Sequence, residues 1–138
     1  RERAWEYGTT TGRARRCGWF DAVAARYSSD TNGMTSAVIT RLDVLDGFSP
    51  IKICVAYRLD GKLIDHYPST PAALEACEPV YEEISGWDRP TAGAQHISDL
   101  PAEAESYVRR VEDLLGCPIS MVSTGPGREE TILLKSII

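Results

Sequence analysis

Apolar positions along the 138-residue chain follow two repeats, one helical and one extended. Phe20, Val23, Ala24 and Tyr27 recur at i, i+3, i+4 and i+7, which predicts a helix with one buried face, ended at Asn32-Gly33. A second helix is predicted from Pro101 to Leu115, with Ala104, Tyr107, Val108, Val111, Leu114 and Leu115 on one face. Pro101 suits its first turn, Glu103 and Glu105 complement the helix dipole, and Gly116 with Pro118 marks its stop. Between the helices, Ala37-Val38-Ile39-Thr40 is a short continuous apolar run, the pattern of a strand buried on both faces in a mostly parallel sheet. Ile51 to Arg58 and Leu63 to Tyr67 flank Asp60-Gly61, a pair that favours a β-hairpin turn. Ile119 to Val122 reads as a further buried strand opening into Ser123-Thr124-Gly125-Pro126-Gly127, and Thr131 to Leu134 as a last short one. Ser85 to Gly93, rich in turn residues, reads as a mobile loop. The class expected is α/β, with a hairpin excursion from a mostly parallel sheet.

Composition narrows the function without naming it. Length and a 43% hydrophobic content suit one globular unit, and a formal net charge of −5 argues against broad binding to nucleic acid or anionic membrane. No apolar run approaches the roughly 18 residues that a membrane span needs. Cys17, Cys54, Cys77 and Cys117 have no metal-ligand spacing, and reduced thiols packed as small hydrophobes are expected, as in a cytoplasmic protein. His66 and His96 stand apart from any acid or nucleophile that would make a catalytic pair, and each is expected to be a surface or satisfied histidine. Glu82 and Glu83 point to opposite faces if extended. Arg109-Arg110 falls on the polar face of the second helix, and Trp19 and Trp87 are expected to pack.

One segment concentrates charge against that acidic background. Gly8-Thr9-Thr10-Thr11-Gly12-Arg13-Ala14-Arg15-Arg16 places three hydroxyls and three guanidiniums in one short loop. Guanidiniums match carboxylates and phosphates with a planar fork, hydroxyls add neutral donors, and glycines let backbone N–H groups converge. By itself the segment reads either as an anion-binding loop or as a solvated basic turn. A helix starting just beyond it is expected to aim its first N–H groups toward the same place.

Read with Thr40-Arg41-Leu42-Asp43-Val44-Leu45-Asp46-Gly47 and Val122-Ser123-Thr124-Gly125-Pro126, the loop takes on a family likeness. Cys17 to Val23, Ile51 to Tyr57, Pro79 to Glu82 and Gly86-Trp87 fall between these segments in the same order. Over nearly its whole length the chain resembles the C-terminal part of the adenylosuccinate synthetase family, GTP-dependent ligases that join IMP to aspartate. The resemblance implies a portion of a nucleotide-binding fold like that of the P-loop NTPases, and a complete enzyme that is a cytoplasmic homodimer. It further implies that a glycine-rich phosphate loop, a catalytic Asp, a catalytic His and the magnesium ligands lie in a preceding portion. Within the 138 residues no G-x-x-x-x-G-K-[ST] occurs, and this portion alone is expected not to form adenylosuccinate. A non-catalytic module that binds a guanine nucleotide or a dicarboxylate is the alternative.

Site residues follow from the same resemblance. Thr9, Thr10, Thr11, Gly12, Arg13, Ala14 and Arg15 would hold the aspartate substrate, with Arg13 also reaching IMP and Arg15 approaching GTP. Arg41, Leu42 and Asp43, with Ser123, Thr124 and Gly125, would hold the guanine of GTP. Asp43 can accept from both the ring N–H and the exocyclic amine of guanine, a donor pair that adenine lacks; pattern alone favours a capping or turn aspartate, and the resemblance reverses that. The stem and cation at Arg41 would cover the base. Three positions depart from the family pattern: Arg41 stands where Lys is usual, Gly127 where Asp is usual, and Ala14 where Pro or Arg is common. Gly127 is thereby expected to remove a carboxylate from the guanine loop.

Overall fold

A computed structural model describes residues 1–135. The elements run β1 (Phe20–Asp21), α1 (Ala22–Asn32), β2 (Ala37–Ile39), a 3-10 turn (Leu42–Leu45), β3 (Ile51–Leu59), β4 (Lys62–Ile64) and α2 (Pro71–Glu75). They continue through β5 (Glu78–Ile84), a second 3-10 turn (Ile97–Asp99), α3 (Ala102–Leu115), β6 (Ile119–Ser123) and β7 (Thr131–Leu133). β5 pairs antiparallel along nearly all of β3, so the short β1, parallel, and β4, antiparallel, share the other edge of that strand. In the second sheet β6 is central, parallel to β2 and antiparallel to β7. The α/β class and the hairpin at Asp60-Gly61 are as expected, while the described pairings are mixed, two parallel and three antiparallel.

α3 joins the sheets into one core. Ala104, Tyr107, Val108, Val111 and Leu115 form its buried face, against Ile51 and Ile53 of β3, Ile119 and Val122 of β6, and Ile132 of β7. Each of the larger aliphatic side chains contributes roughly 1.5–3 kcal/mol by leaving water. Its bounds match the expectation, with Pro101 just before the first helical residue and Gly116 closing it in the left-handed conformation. On the outer surface Arg110 forks onto Glu82 of β5 at 2.9 and 2.6 Å, while Glu83 turns to Lys52. That pairing holds the Glu82 carboxyl below its ordinary pKa.

Several expectations change in the structure. α1 begins at Ala22 and buries Val23 as expected, but Tyr27 is 52% exposed, stacked on Tyr67, whereas Ala22 and Ser29 are buried and Ala25 packs against the core. Beside Val23 the inward row is made of small side chains, because α1 lies close against α3 and β3. The N-terminus of α1 offers no open anion site: Asp21 caps it, accepting from the Ala24 N–H at 3.1 Å, and its second oxygen accepts from the Tyr57 hydroxyl at 2.6 Å. β2 is an edge strand and not buried on both faces, with Val38 50% exposed. The strand expected over Leu63 to Tyr67 ends at Ile64.

The segment expected to be a mobile loop, Ser85 to Gly93, is pinned. Asp46 accepts from Trp87 Nε1 at 2.6 Å and from the Thr91 N–H and hydroxyl, each at 3.0 Å. Gly86 lies so close to the backbone of Phe48 that a Cβ would stand 1.6 Å from its carbonyl oxygen. Trp19 packs edge-on to Phe48, so both tryptophans serve packing, as expected.

Candidate functional site

Parallel pairing of β2 with β6 decides where the chemistry gathers. Both strands end at one sheet edge, and a hydrogen bond from the Arg41 N–H to Ser123 Oγ at 2.9 Å joins positions 82 apart in the chain. Arg41 is left-handed, with φ of 58°, a conformation that costs a non-glycine residue on the order of 1 kcal/mol. Leu42 beside it is buried in the core and anchors the segment. The Arg41 side chain then folds onto its own neighbour. Nε donates to Asp43 Oδ1 and Nη2 to Oδ2, both at 2.9 Å, and Nη2 also reaches the Arg3 carbonyl at 3.1 Å. The hydrogen bond to Asp43 raises the guanidinium pKa further.

Ser123, Thr124 and Gly125 stand opposite, in a loop wrapped around Glu130. The Thr124 N–H donates to the Glu130 carbonyl at 2.8 Å, and the Gly127 N–H to Glu130 Oε2 at 2.7 Å. A Cβ on Gly125 would fall 2.3 Å from the Glu130 carboxylate. Gly127 brings no carboxylate of its own to this loop, and the one the loop contains comes from Glu130, three residues on. Its field also reaches Arg41.

The basic loop is a hairpin tip. Tyr7 bridges Ala14, the Gly8 N–H donates to the Arg13 carbonyl at 2.8 Å, and the Gly12 N–H donates to the Gly8 carbonyl at 2.8 Å. Thr9, Thr10, Thr11, Gly12, Arg13, Ala14, Arg15 and Arg16 are all exposed. Among the described residues Arg13 and Arg16 form no ion pair, whereas Arg15 pairs with Glu6 at 3.0 Å. Glu6 connects this loop to the sheet edge, because it lines one cavity of about 450 Å³ with Arg41, Leu42 and Val38, and its charge acts on Arg41.

Sequence reasoning missed Glu6, Glu130 and Asp46, whose roles come from approach through space. Only Glu130 carried a local signal, a carboxylate three residues beyond a glycine amide that it can accept from. Cys54 and Cys117 are buried, Cys17 is exposed, and all four cysteines are thiols. His96 caps the second 3-10 turn through Asp99. Among the described residues no three His, Cys, Asp or Glu side chains meet as metal ligands, and no helix is long and apolar enough to cross a membrane.

Fold and edge define an α/β protein that collects polar groups beyond the carboxyl ends of parallel strands, where such sheets bind ligands. A family model described as adenylosuccinate synthetase matches residues 1–132. The adenylosuccinate synthetase of Pelobacter propionicus is 52% identical over 136 residues, covering 99% of this chain and 32% of its own. The structure of fully ligated adenylosuccinate synthetase from Plasmodium falciparum superposes with a TM-score of 0.92 at 37% identity, covering 97% of this chain and 32% of that one. The chain belongs to the adenylosuccinate synthetase family. It spans about a third of the length of these relatives.

Proposed function

We propose that this chain carries the guanine-recognition edge and the aspartate-binding loop of a GTP-dependent ligase that joins IMP to L-aspartate, releasing GDP and phosphate. The observation that supports the reading is the hydrogen bond from the Arg41 N–H to Ser123 Oγ, which ties the segment carrying Asp43 to the one running from Ser123 to Gly125. A purine edge inserted there meets an acceptor pair on one side and main-chain groups on the other. Guanine offers the two parallel donors that such a carboxylate takes; adenine does not. Leu42 and Thr124, both buried, hold the two walls in register.

The basic hairpin supports the second half. The chemistry transfers the γ-phosphoryl group of GTP to the carbonyl oxygen of IMP, after which the aspartate amine attacks that carbon and phosphate leaves with the oxygen. Aspartate must be held by its two carboxylates while its amine stays free, and positioning of this kind supplies much of a rate enhancement. Arg13, exposed and unpaired among the described residues, is the carboxylate clamp, and its reach extends to IMP. Thr9, Thr10 and Thr11 supply neutral donors around Gly12, and Ala14 continues the hairpin without a functional group. Arg15, held by Glu6, links this loop to the guanine edge. Magnesium would screen the phosphates of GTP during transfer. The described residues offer no cluster of ligands for it, and no step here is routed through it. A cytoplasmic setting and a homodimeric complete enzyme belong to the same proposal.

Titration of the ¹⁵N-labelled chain with GTP and with ATP tests the guanine half. GTP is expected to shift the Arg41, Ser123 and Gly125 amides, and ATP to leave them in place. Asp43→Asn should weaken GTP about ten-fold, as loss of a charge-assisted hydrogen bond implies. Equal shifts with ATP, or GTP binding indifferent to Asp43, would remove the site.

A further inference from the structure

A guanidinium and a guanine base show a carboxylate the same edge. Ring N–H and exocyclic N–H of guanine are two parallel donors flanking one carbon, and so are Nε–H and Nη2–H of arginine. In this chain the carboxylate in question is already engaged that way. Arg41 Nε reaches one oxygen of Asp43 and Nη2 the other, both at 2.9 Å. Resting on the guanine reading above, we propose that Arg41 is a built-in stand-in for guanine: it occupies Asp43 in the unliganded protein, and a guanine base enters by exchanging one fork for another.

The pair is built, not incidental. The two side chains are only 27% and 20% exposed, which distinguishes them from a freely solvated surface pair. The Arg41 backbone is held left-handed and tied through its N–H to Ser123, so its side chain starts from a fixed point two residues from Asp43. A third contact, Nη2 to the Arg3 carbonyl, holds the outer edge of the guanidinium. The negative charges of Glu6 and Glu130 add to the local attraction for a cation. These features favour the closed fork before ligand arrives, and only the fraction of molecules with the fork open is competent to take the base.

Two consequences follow for the site. Apparent guanine affinity is reduced by the population of the internal pair, roughly five-fold for a partly exposed bidentate contact. A base also has to supply both donors to displace Arg41, since one hydrogen bond exchanged for two leaves Asp43 worse satisfied. Selectivity for guanine over bases with one donor or none is thereby sharpened. Once displaced, the guanidinium is free to lie across the face of the base.

Guanosine, which lacks phosphates, isolates the base site. In the unmodified chain the Arg41 Nε–H resonance is expected to be protected from exchange and to lose that protection as guanosine saturates the Ser123 and Gly125 amides. Inosine, with one donor, should displace it poorly. Arg41→Lys keeps a cation and stem without the fork, and should bind guanosine about five-fold more tightly. In Arg41→Ala, methylguanidinium should compete with guanosine. An Arg41 Nε–H that stays protected at guanosine saturation overturns the exchange and leaves the base site standing. Equal or weaker guanosine binding in both Arg41 variants does the same. Absence of any Asp43-dependent guanosine binding overturns the base site and the exchange together.

Discussion

Asp46 ties the segment from Ser85 to Gly93 to the rest of the fold, and removing its carboxylate tests how much that tie is worth. Its two oxygens accept three hydrogen bonds, from Trp87 Nε1 at 2.6 Å and from the Thr91 N–H and hydroxyl at 3.0 Å each. Trp87 is 3% exposed and Thr91 1%, so Asp46→Ala leaves three donors in a place that water reaches poorly. An unsatisfied buried donor costs about 1–3 kcal/mol. Three that share one acceptor group do not add in full, and Asp46 itself is only half-buried, so some water will enter the vacated space. The expected loss is about 3–5 kcal/mol. A chain of this length has on the order of 7–20 kcal/mol in total, so the variant should still fold, with a urea midpoint lower by about 2 M. Tryptophan fluorescence and far-UV circular dichroism, followed together through the urea transition, measure it. Asp46→Asn should fall between, because one oxygen survives while an amide N–H₂ meets either the Thr91 N–H or the Trp87 side. A midpoint within about 0.3 M of the unmodified protein for Asp46→Ala would refute the claim that this carboxylate organises the segment from Ser85 to Gly93.

Arg13→Leu, in an enzyme competent for turnover, should depress kcat/KM for aspartate and for IMP with little change in thermal unfolding, since the hairpin tip is outside the core; a fall in stability alone would return the loop to a basic turn. Gly127→Asp should be destabilising by about 1 kcal/mol, because a second carboxylate beside Glu130 would push Glu130 Oε2 off the Gly127 N–H. Adding Glu130→Gln should recover part of that loss in a thermal scan, and no recovery would dissociate the two positions. Glu82 has a depressed folded-state pKa, so its pairing with Arg110 contributes fully above the ordinary carboxyl value of 4.5 and fades as pH falls through the depressed one. Glu82→Gln should lower stability near neutrality and converge with the unmodified protein in acid; a constant difference across that range would contradict the linkage.

What the amino-acid sequence determined by itself is local. Periodicity placed α3 nearly to the residue, because Pro101, Gly116 and the apolar face from Ala104 to Leu115 act within one helix. The dipeptide Asp60-Gly61 similarly sufficed for the hairpin, since its left-handed backbone is a property of those two residues. Motif order also sufficed for the family likeness, and for the expectation that residues 41–43 and 123–125 share a sheet edge. Tertiary structure decided the rest. Val23 was legible on the inward face of α1, but Ala22, Ala25 and Ser29 beside it are small residues whose burial depends on how closely neighbouring elements approach. What the sequence left open in the run from Glu78 to Ile84 was its partner, because pairing along β3 depends on the neighbour it meets in the fold. The use of Asp43 by Arg41, of Gly127 by Glu130, and of Thr91 by Asp46 likewise depends on which donors meet which acceptors in the folded chain. A hydrogen bond is worth something only when both partners arrive at the same point with the right direction, and that meeting is a property of three-dimensional packing that no one-dimensional spacing contains.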